Sequence, residues 1–409
     1  MPSSAETAQE PHRAMKTHGP INPNIMKRYL LPLLALCAAT ACGTAPQPAE
    51  PEHAVLFRSG DHGSKYYRIP ALATAADGTL LAVADRRNDS QGDLPNGIDI
   101  VLRRSSDLGR TWSDQIVIAR HRPDCGYGDA ALAVDPRTQE VVCIFAAGCG
   151  MWNSSAEAPQ QVCVCRSADH GLTWSEIEDI TPQLYGPACA DPASGCLSGM
   201  FAASGRALAL SDGGLAFVVA AHRTGESWPP LYNYVCRSDD GGHTWRLLPT
   251  PAAEPPIGDE AKLVERSDGA WLMSIRNPDK GCRRYALSHD AGATWHETGV
   301  WSELPDPACN GDIMRYAPPC EAHPHGILLH SIPADSTDRR NVSIALSYDD
   351  GRTWPVRRTV WDCPAGYSSL TRLADGTIGL LTEVGDWDSG FEIRFTRLSY
   401  DWLTAGESI

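Results

Sequence analysis

The stretch "RRSSDLGRTW" at residues 103–112 decides the fold, because the chain repeats its core four more times. The copies share Ser-x-Asp-x-Gly-x-Thr-Trp and read "CRSADHGLTW" (165–174), "CRSDDGGHTW" (236–245), "LSHDAGATW" (287–295) and "LSYDDGRTW" (346–354). Short β-rich runs such as "IDIVLRR" and "QQVCVCR" precede them, so each copy is predicted to turn the chain at a strand end. In such a turn Asp accepts backbone N–H bonds, Gly adopts a positive φ, and Trp packs back into the core.

The spacing of the copies indicates a repeat architecture. Their first serines lie 50 to 71 residues apart, which is typical of stacked supersecondary units and fits four-stranded propeller blades. Three β-hairpins turn at Asp-Gly pairs that begin at residues 77, 268 and 375. Less clear hairpins at 128–148, 200–222 and 315–332 bring the count to six. The sequence therefore predicts an all-β fold, a six-bladed β-propeller of four-stranded antiparallel blades.

Polar residues at the open ends of these hairpins are expected to converge. The start of the first strand or the end of the second carries Arg68, Glu260, Arg276, Tyr367 and Glu383. The loops that lead into the next strands add further charges, which are Arg86, Arg87, Asp89 and Asp93 before "IDIVLRR" and Asp338, Arg339 and Arg340 before "VSIALS". If consecutive blades circle an axis, these side chains share one concave face and the repeated turns lie at the opposite end.

The composition limits what such a face can bind. The 409-residue chain has a formal net charge of −15 at pH 7, which argues against nucleic acid and an anionic membrane surface as general partners. A small anionic ligand is compatible with this charge if Arg residues cluster locally, because an Arg fork matches a carboxylate bidentately. The sequence contains no Cys-x-x-Cys and no His-Glu-x-x-His, so nothing argues for a zinc site. No catalytic metal and no cofactor are expected, and a structural Ca²⁺ stays an open alternative.

The N-terminal segment predicts export. Lys27 and Arg28 precede the apolar run "YLLPLLALCAATAC" (29–42), which is too short to span a membrane and ends in small residues, as a secretory signal does. "ATAC" (39–42) resembles a bacterial lipoprotein cleavage box, so a lipid anchor is expected on Cys42. Residues 1–42 are therefore interpreted as an extension and signal peptide, 43–53 as a Pro-rich tether and 54–409 as the propeller. The expected location is the cell envelope, in the periplasm or on the cell surface, or the medium.

The five repeats resemble the Asp-boxes of sialidases, and "YRIP" (67–70) resembles the Arg-Ile-Pro motif of that family. The resemblance runs from about Phe57 to about Arg397 and includes "SIRN" (274–277) and "GYSSL" (366–370). It implies a retaining exo-α-sialidase (neuraminidase), a glycosidase that removes terminal sialic acid from glycans, glycoproteins or glycolipids.

The resemblance also implies substrate-binding roles. Arg68, Arg276 and Arg339 are similar to the three Arg residues that bind the sialic acid carboxylate, with Arg340 as the alternative third member. Glu383 is similar to the Glu that orients Arg68.

The remainder of the sugar pocket is less sharply specified by the sequence. Arg87 is similar to a further Arg that lines the glycone pocket in the family. Met151, Trp152, Met200 and Phe201 are candidates for the acetamido pocket or for the core.

Asp93, Tyr367 and Glu260 are similar to the family's acid/base, its nucleophile and the partner of that nucleophile. Elementary electrostatics supports a Tyr in this role, because sialic acid bears a carboxylate on its anomeric carbon. A carboxylate nucleophile would meet a like charge, worth about 4 kcal/mol at 4 Å in an effective dielectric of 20. A phenol avoids this repulsion but needs a base, which Glu260 can supply. Asp93 would protonate the leaving oxygen and then activate water, so two displacements give retention.

Three other interpretations remain open from the sequence. A glycan-binding or protein-binding propeller would need none of Asp93, Glu260 and Tyr367. A transferase or an intramolecular trans-sialidase would keep the same catalytic residues and differ on the aglycone side. A purely structural repeat protein would leave the placement of the Arg residues unexplained.

Overall fold

The computed structural model describes residues 48–227, 230–250, 253–405 and 407–408. The predicted signal segment, the lipid anchor on Cys42 and residues 43–47 of the tether lie outside the described residues. The described part forms one compact unit from Pro48 onward. None of its helices is long and apolar enough to cross a membrane.

The described chain is nearly all β-structure. Its first strands are β1 (Glu52–Phe57), β2 (Tyr66–Thr74), β3 (Leu80–Arg87), β4 (Ile98–Ser105), β5 (Ile116–Ala119), β6 (Gly126–Val134), β7 (Val141–Gly148), β8 (Gln161–Ser167) and β9 (Glu178–Asp179). The middle strands are β10 (Leu197–Ala202), β11 (Gly205–Arg206), β12 (Leu208–Ala209), β13 (Leu215–Arg223), β14 (Tyr232–Ser238) and β15 (Arg246–Leu248).

The last strands are β16 (Ala261–Glu265), β17 (Trp271–Ile275), β18 (Gly281–Ser288), β19 (Glu297–Asp306), β20 (Asp312–Ala317), β21 (Ile327–Pro333), β22 (Arg340–Ser347), β23 (Val356–Arg372), β24 (Ile378–Asp386), β25 (Gly390–Leu398) and β26 (Glu407–Ser408). The helices are short and comprise α1 (Thr181–Leu184), α2 (Tyr400–Thr404) and 3₁₀ turns at Asp61–Gly63, Met151–Asn153 and Pro192–Cys196.

The strands pair into five largely antiparallel sheets. Four of them have the orders β2-β3-β4-β5, β11-β6-β7-β8-β9, β10-β13-β14-β15 and β16-β17-β18-β19, and only β11 pairs in parallel among the described strands. The fifth runs β1-β25-β24-β23-β22-β21-β20. Its long strand β23 changes partner midway, since residues up to Pro364 pair with β22 and residues from Ala365 pair with β24. The fifth sheet thus consists of two four-stranded halves that share β23.

The predicted hairpins are confirmed. The three Asp-Gly turns join β2 to β3, β16 to β17 and β23 to β24. The less clear hairpins correspond to β6–β7, β10–β13 and β20–β21. The charged residues named above lie at the open ends of the hairpins that the Asp-Gly turns close. These hairpins therefore orient the site.

The five repeated turns also form as predicted, each directly after β4, β8, β14, β18 or β22. In the first, the Asp107 carboxylate accepts from the Thr111 backbone N–H at 2.9 Å, the Thr111 hydroxyl at 2.6 Å and the Ser105 hydroxyl at 2.8 Å. These hydrogen bonds, led by the one from the Thr111 side chain, lower the pKa of Asp107 to about 2. The repeat is therefore a local device that fixes a turn.

Hydrophobic clusters lie between successive sheets. One cluster joins β2–β4 to β6–β8, a second joins β6–β8 to β10–β15, and a third joins β13 and β14 to β16–β18. Further clusters join β16–β18 to β20–β22 and pack the two halves of the fifth sheet together. The last cluster joins β24 and β25 to β2 and β3, with Leu56 and Phe57 of β1 between them. The first strands of neighbouring units are also in contact, β2 with β6 and β23, and β20 with β16 and β23.

Candidate active site

The strands β2, β6 and β23 each carry a one-residue bulge at the same level, and these bulges shape the floor of a cavity. The register slips by one residue after Arg68 in β2, after Gly128 in β6 and after Ala365 in β23. A bulge bends the strand and redirects a side chain, and two bulge residues, Ile69 (φ 59°) and Asp129 (φ 61°), adopt left-handed backbone angles. The third bulge presents Tyr367.

Glu383 of β24 ties two of these bulges together. Its carboxylate accepts from Nε and Nη2 of Arg68, both at 3.0 Å, and from the backbone N–H groups of Ile69 at 2.8 Å and Tyr367 at 3.1 Å. Burial alone would raise the pKa of Glu383, but Arg68 and these N–H donors outweigh it and hold the pKa below its ordinary value. The contact expected between Glu383 and Arg68 is therefore present, and it fixes the guanidinium in one orientation.

Tyr367, Glu260 and Arg276 form a hydrogen-bonded set on the cavity floor. Arg276 Nη1 donates to the Tyr367 hydroxyl at 2.9 Å and also pairs with the Glu260 carboxylate. Burial would raise the pKa of Glu260, but the charge of Arg276 and a hydrogen bond from Tyr367 lower it. Burial and the Glu260 charge raise the pKa of Tyr367 well above its ordinary value. The phenol is thus neutral at rest and lies beside an ionised base, with Arg276 hydrogen-bonded to both.

Two more guanidinium groups face the Tyr367 ring. The Cζ atoms of Arg68 and Arg339 lie 5.2 Å and 5.3 Å from its centroid. Arg339 Nη2 donates to the Ala308 carbonyl at 2.8 Å, and the remainder of its guanidinium lines the cavity. Arg340 is exposed and does not line this cavity. The geometry therefore favours Arg339 over Arg340 beside Arg68 and Arg276.

Asp93 lies on the rim of the cavity, with 66% of its side chain exposed. Its Oδ1 lies 2.8 Å from Nη2 of Arg87, which also contacts Asp85 Oδ2 at 3.1 Å. Arg87 differs from expectation, because its side chain is only 1% exposed and does not line the cavity. Arg87 is the last residue of β3, all of whose residues are buried, and the two carboxylates compensate the burial of its charge. Arg87 thus reaches the site through Asp93.

Asp129 is a cavity residue that the sequence analysis missed. Its backbone N–H donates to Asp85 Oδ1 at 3.1 Å, and its carboxyl faces the same cavity as Asp93. Burial, together with the charges of Asp85 and Asp93, raises the pKa of Asp129 well above its ordinary value. A signal for it was available, since "DAALAV" (129–134) parallels "IPALAT" (69–74) and places Asp129 level with Ile69.

Asp259 and Trp387 were also missed. Asp259 Oδ2 lies 3.4 Å from Arg276 Nε, and burial raises the pKa of this carboxyl to about 6 although Arg276 opposes the shift. The Trp387 ring lies 4.4 Å from Cζ of Arg68 and is half exposed at the rim. Asp259 directly precedes Glu260 at the start of its hairpin, and Trp387 lies in the turn between β24 and β25, but neither residue recurs in the other repeats.

The cavity has a volume of about 240 Å³, and one of its walls is apolar. Met151, Trp152 and Phe201 line this wall, as the sequence suggested. Met200 does not, because β10 turns its side chain into the core, where it is fully buried. Within the described residues no group of three or more His, Cys, Asp or Glu side chains is arranged to hold a metal ion.

The chain resembles known proteins in both sequence and structure. Residues 78–380 match the model of the BNR repeat-like domain family. A sialidase of Micromonospora viridifaciens is 34% identical over 90% of this chain and 59% of its own length. A sialidase of Paraclostridium sordellii is 30% identical over 82% of this chain and 86% of its own length. This chain thus spans about three fifths of the first relative.

A solved structure gives the same picture. The Hadza microbial sialidase Hz136 superimposes with a TM-score of 0.76 and 28% sequence identity. The superposition covers 86% of this chain and 69% of the other.

Proposed function

The chain belongs to the sialidase family, and we propose that it is a retaining exo-α-sialidase that hydrolyses terminal sialic acid from glycoconjugates. One observation carries the proposal: the Tyr367 hydroxyl is hydrogen-bonded within a set that includes an ionised Glu260 and Arg276, on the floor of a cavity with two further Arg residues. A binding module or a structural repeat has no use for a buried phenol held beside a base.

Substrate binding begins with charge. Arg68, Arg276 and Arg339 surround the Tyr367 ring and can share the carboxylate on the anomeric carbon of sialic acid. Glu383 holds Arg68 from behind, so that guanidinium needs no reorganisation when the anion arrives. The bound carboxylate then places the anomeric carbon above the Tyr367 hydroxyl.

The first displacement uses Tyr367 as the nucleophile. Glu260 takes the phenolic proton while the Tyr367 oxygen forms a bond to the anomeric carbon, so the attacking oxygen carries no full negative charge at any stage. Asp93 on the rim gives a proton to the departing glycosidic oxygen. Arg87 holds Asp93 by one carboxylate oxygen and leaves the other free for this transfer.

The second displacement reverses these roles. Asp93, now ionised, removes a proton from a water molecule that attacks the anomeric carbon, and Glu260 returns the proton to the leaving Tyr367 oxygen. Two inversions at one carbon give net retention. Sialic acid therefore leaves as the α-anomer.

A fluorinated sialoside tests the nucleophile directly. We expect it to trap a covalent adduct, and peptide mapping to place that adduct on Tyr367. Tyr367→Phe removes only a hydroxyl, so it should fold but form no adduct. An adduct on Glu260 would overturn the assignment. NMR of sialyllactose hydrolysis follows the product, and an anhydro sugar formed without water would indicate intramolecular transfer instead of hydrolysis.

Asp93→Ala tests the acid through the leaving group. General acid catalysis contributes about 10²–10⁴-fold, so kcat/KM for sialyllactose should fall by that order. An aryl sialoside releases a phenolate that needs little protonation, so its kcat/KM should fall much less. Equal losses on both substrates would show that Asp93 is not the acid.

Two further proposals concern the whole chain. We infer that the four sheets and the two halves of the fifth are six blades of a closed propeller. The hydrophobic clusters between successive units, and between the last unit and the first, support this inference.

We also propose that the protein is exported and anchored by a lipid on Cys42, on the sequence pattern alone. Mass spectrometry of the native N-terminus should find acylated Cys42, and a soluble protein that begins elsewhere would contradict the anchor.

A further inference from the structure

A second concave region adjoins the catalytic cavity, and we call it the side groove. It is lined by Lys280 and Arg340 together with Arg276, Arg339 and Trp387, the last three of which also line the catalytic cavity. Its volume of about 660 Å³ exceeds the 240 Å³ of the cavity in which we place one sialyl residue. A ligand seated in the catalytic cavity can therefore extend into the side groove without leaving the protein.

The side groove contains cations without acidic partners. Lys280, Arg339 and Arg340 form no ion pair within 4.0 Å in the part of the chain that the structure describes. Lys280 Nζ donates to the Thr337 carbonyl at 2.7 Å, and Arg339 Nη2 donates to the Ala308 carbonyl. A carbonyl satisfies a hydrogen bond without adding a negative charge, and the charge of Arg340 acts on the Asp335 carboxylate only from beyond 4.0 Å among the described residues.

Two carboxylates also line the groove, Asp338 and Asp386. Asp386 Oδ1 is engaged by the backbone N–H groups of Asp388 at 3.1 Å and Ser389 at 2.7 Å. Neither carboxylate lies within 4.0 Å of the three cations among the described residues. In a chain with a net charge of −15, such a concentration of unpaired positive charge in one concavity marks an anion site.

We propose that the side groove binds a second anionic group of the substrate, carried by the sugar that follows the cleaved sialic acid. The chemistry fits the carboxylate of a second sialyl residue or a sulfate ester, because Lys280 and Arg340 can both donate charge-assisted hydrogen bonds. This inference rests on the proposed sialidase function and adds a substrate class to it: glycans whose terminal sialic acid is linked to an acidic sugar.

The groove is built before any ligand arrives. Asp335 Oδ1 accepts from the backbone N–H groups of Thr337 at 2.8 Å and Asp338 at 3.0 Å, which fixes the loop that leads to Arg340. Lys280 is held across this loop through Thr337 and occupies a left-handed backbone position with φ 63°. A preformed site loses less entropy on binding, so even exposed cations contribute here.

The test compares three substrates: sialyllactose, a sialyllactose with sulfated galactose, and disialyllactose, in which a second sialyl residue follows the one that is cleaved. The wild type should hydrolyse at least one acidic substrate with kcat/KM about fivefold to tenfold above sialyllactose, the scale expected of two partly exposed ion pairs. Lys280→Gln with Arg340→Gln should abolish this preference. The two acidic substrates separate a carboxylate from a sulfate ester.

A matched control uses Arg110→Gln with Arg352→Gln. These two exposed Arg residues also donate only to backbone carbonyls, of Asp107 at 3.2 Å and Asp349 at 3.0 Å, but lie in the repeated turns and outside the groove. The control should keep the preference, which added salt should weaken in both wild type and control. Equal kcat/KM for all three substrates, or a preference that survives in the Lys280/Arg340 variant, would overturn the proposal.

Binding provides a readout that does not require turnover. Calorimetry with Tyr367→Phe should give a lower Kd for the preferred acidic substrate than for sialyllactose, and the added Lys280 and Arg340 substitutions should remove the difference. If the wild type releases sialic acid from none of the substrates, the proposed function fails. The Kd ratio then still decides whether the groove selects an anion, and equal Kd values would overturn it.

Discussion

Arg87 is the residue on which the charge balance of the site depends. It is buried with Asp85 and contacts Asp93, and Asp129 adds a third carboxyl to the same cluster. One guanidinium cannot compensate the buried carboxyls of Asp85 and Asp129 together with the exposed carboxylate of Asp93, so the cluster retains a proton. Burial, opposed by Arg87, raises the pKa of Asp85 to about 7, and the pKa of Asp129 also lies well above its ordinary value. Protonation of either carboxyl lowers the negative charge beside the cavity in which we propose that an anionic sugar binds.

Asp129→Asn tests this proton through stability. A carboxyl whose pKa is raised by folding stabilises the folded protein at pH values below its pKa in the unfolded chain, which is near 4. This contribution to stability is lost as the pH rises through the pKa in the folded protein, which is about 7 for Asp85. The amide introduced by the substitution cannot ionise, so the variant should lose less stability than wild type between pH 5 and pH 8, by about 1–3 kcal/mol. Urea unfolding at both pH values measures the difference.

Asp124→Asn is the control for that experiment. Its carboxyl is 84% exposed and lies 3.9 Å from Arg122, so removing its charge should leave the pH dependence of unfolding unchanged. Parallel stability curves for wild type and Asp129→Asn would show that the cluster holds no extra proton in this range.

Elements that depend on local bonds could be predicted from the sequence, and those that depend on packing between sheets could not. The repeated turns close through Ser, Asp, Gly and Thr within seven positions, so the motif alone specifies them. The hairpins follow from Asp-Gly turns for the same reason. The bulge that redirects Asp129 is a slip of register against β7, and the inward turn of Met200 depends on β13 and its neighbours. The inward turn of Met200 leaves no periodic signal in the sequence, and Asp129 is marked only by the likeness of "DAALAV" (129–134) to "IPALAT" (69–74).

Gly109→Ala tests how a repeated turn is joined to its sheet. Gly109 has φ 85°, and a Cβ atom there would lie 2.2 Å from Cε1 of Phe395, a buried ring that packs on Trp112. The left-handed angle costs about 1–2 kcal/mol with Ala, and the overlap adds about 1–3 kcal/mol because the ring must move. The free energy of unfolding in urea should fall by the sum of the two.

Gly269→Ala separates the two terms. Gly269 has nearly the same φ, 84°, but a Cβ atom there meets nothing within 4 Å. This variant should therefore lose only the backbone term of about 1–2 kcal/mol. If both variants lose the same free energy, the contact with Phe395 does not limit the turn.

At the scale of the whole molecule, the ends of the described chain meet. β1 pairs antiparallel with β25, so a strand from the beginning of the described chain completes the sheet formed by its last long strands. Phe57 at the end of β1 also stacks on Tyr67 of β2, with 5.5 Å between ring centroids. β1 thus links the last sheet to the first, and with them Glu383 of β24 to Arg68 of β2. We therefore expect substitutions that destabilise β1 to affect the site, although β1 does not line the cavity.

Phe57→Ala tests this link. Phe57 is fully buried and lies 5.6 Å from the Arg103 guanidinium, so truncation to Ala should cost about 3–5 kcal/mol of unfolding free energy. Val55→Ala, in the same strand but 46% exposed, should cost less than about 1 kcal/mol. Because the Arg68–Glu383 pair spans the same two sheets, Phe57→Ala should also raise KM for an aryl sialoside more than Val55→Ala does. Equal losses of stability in the two variants would show that β1 does not hold the first and last sheets together.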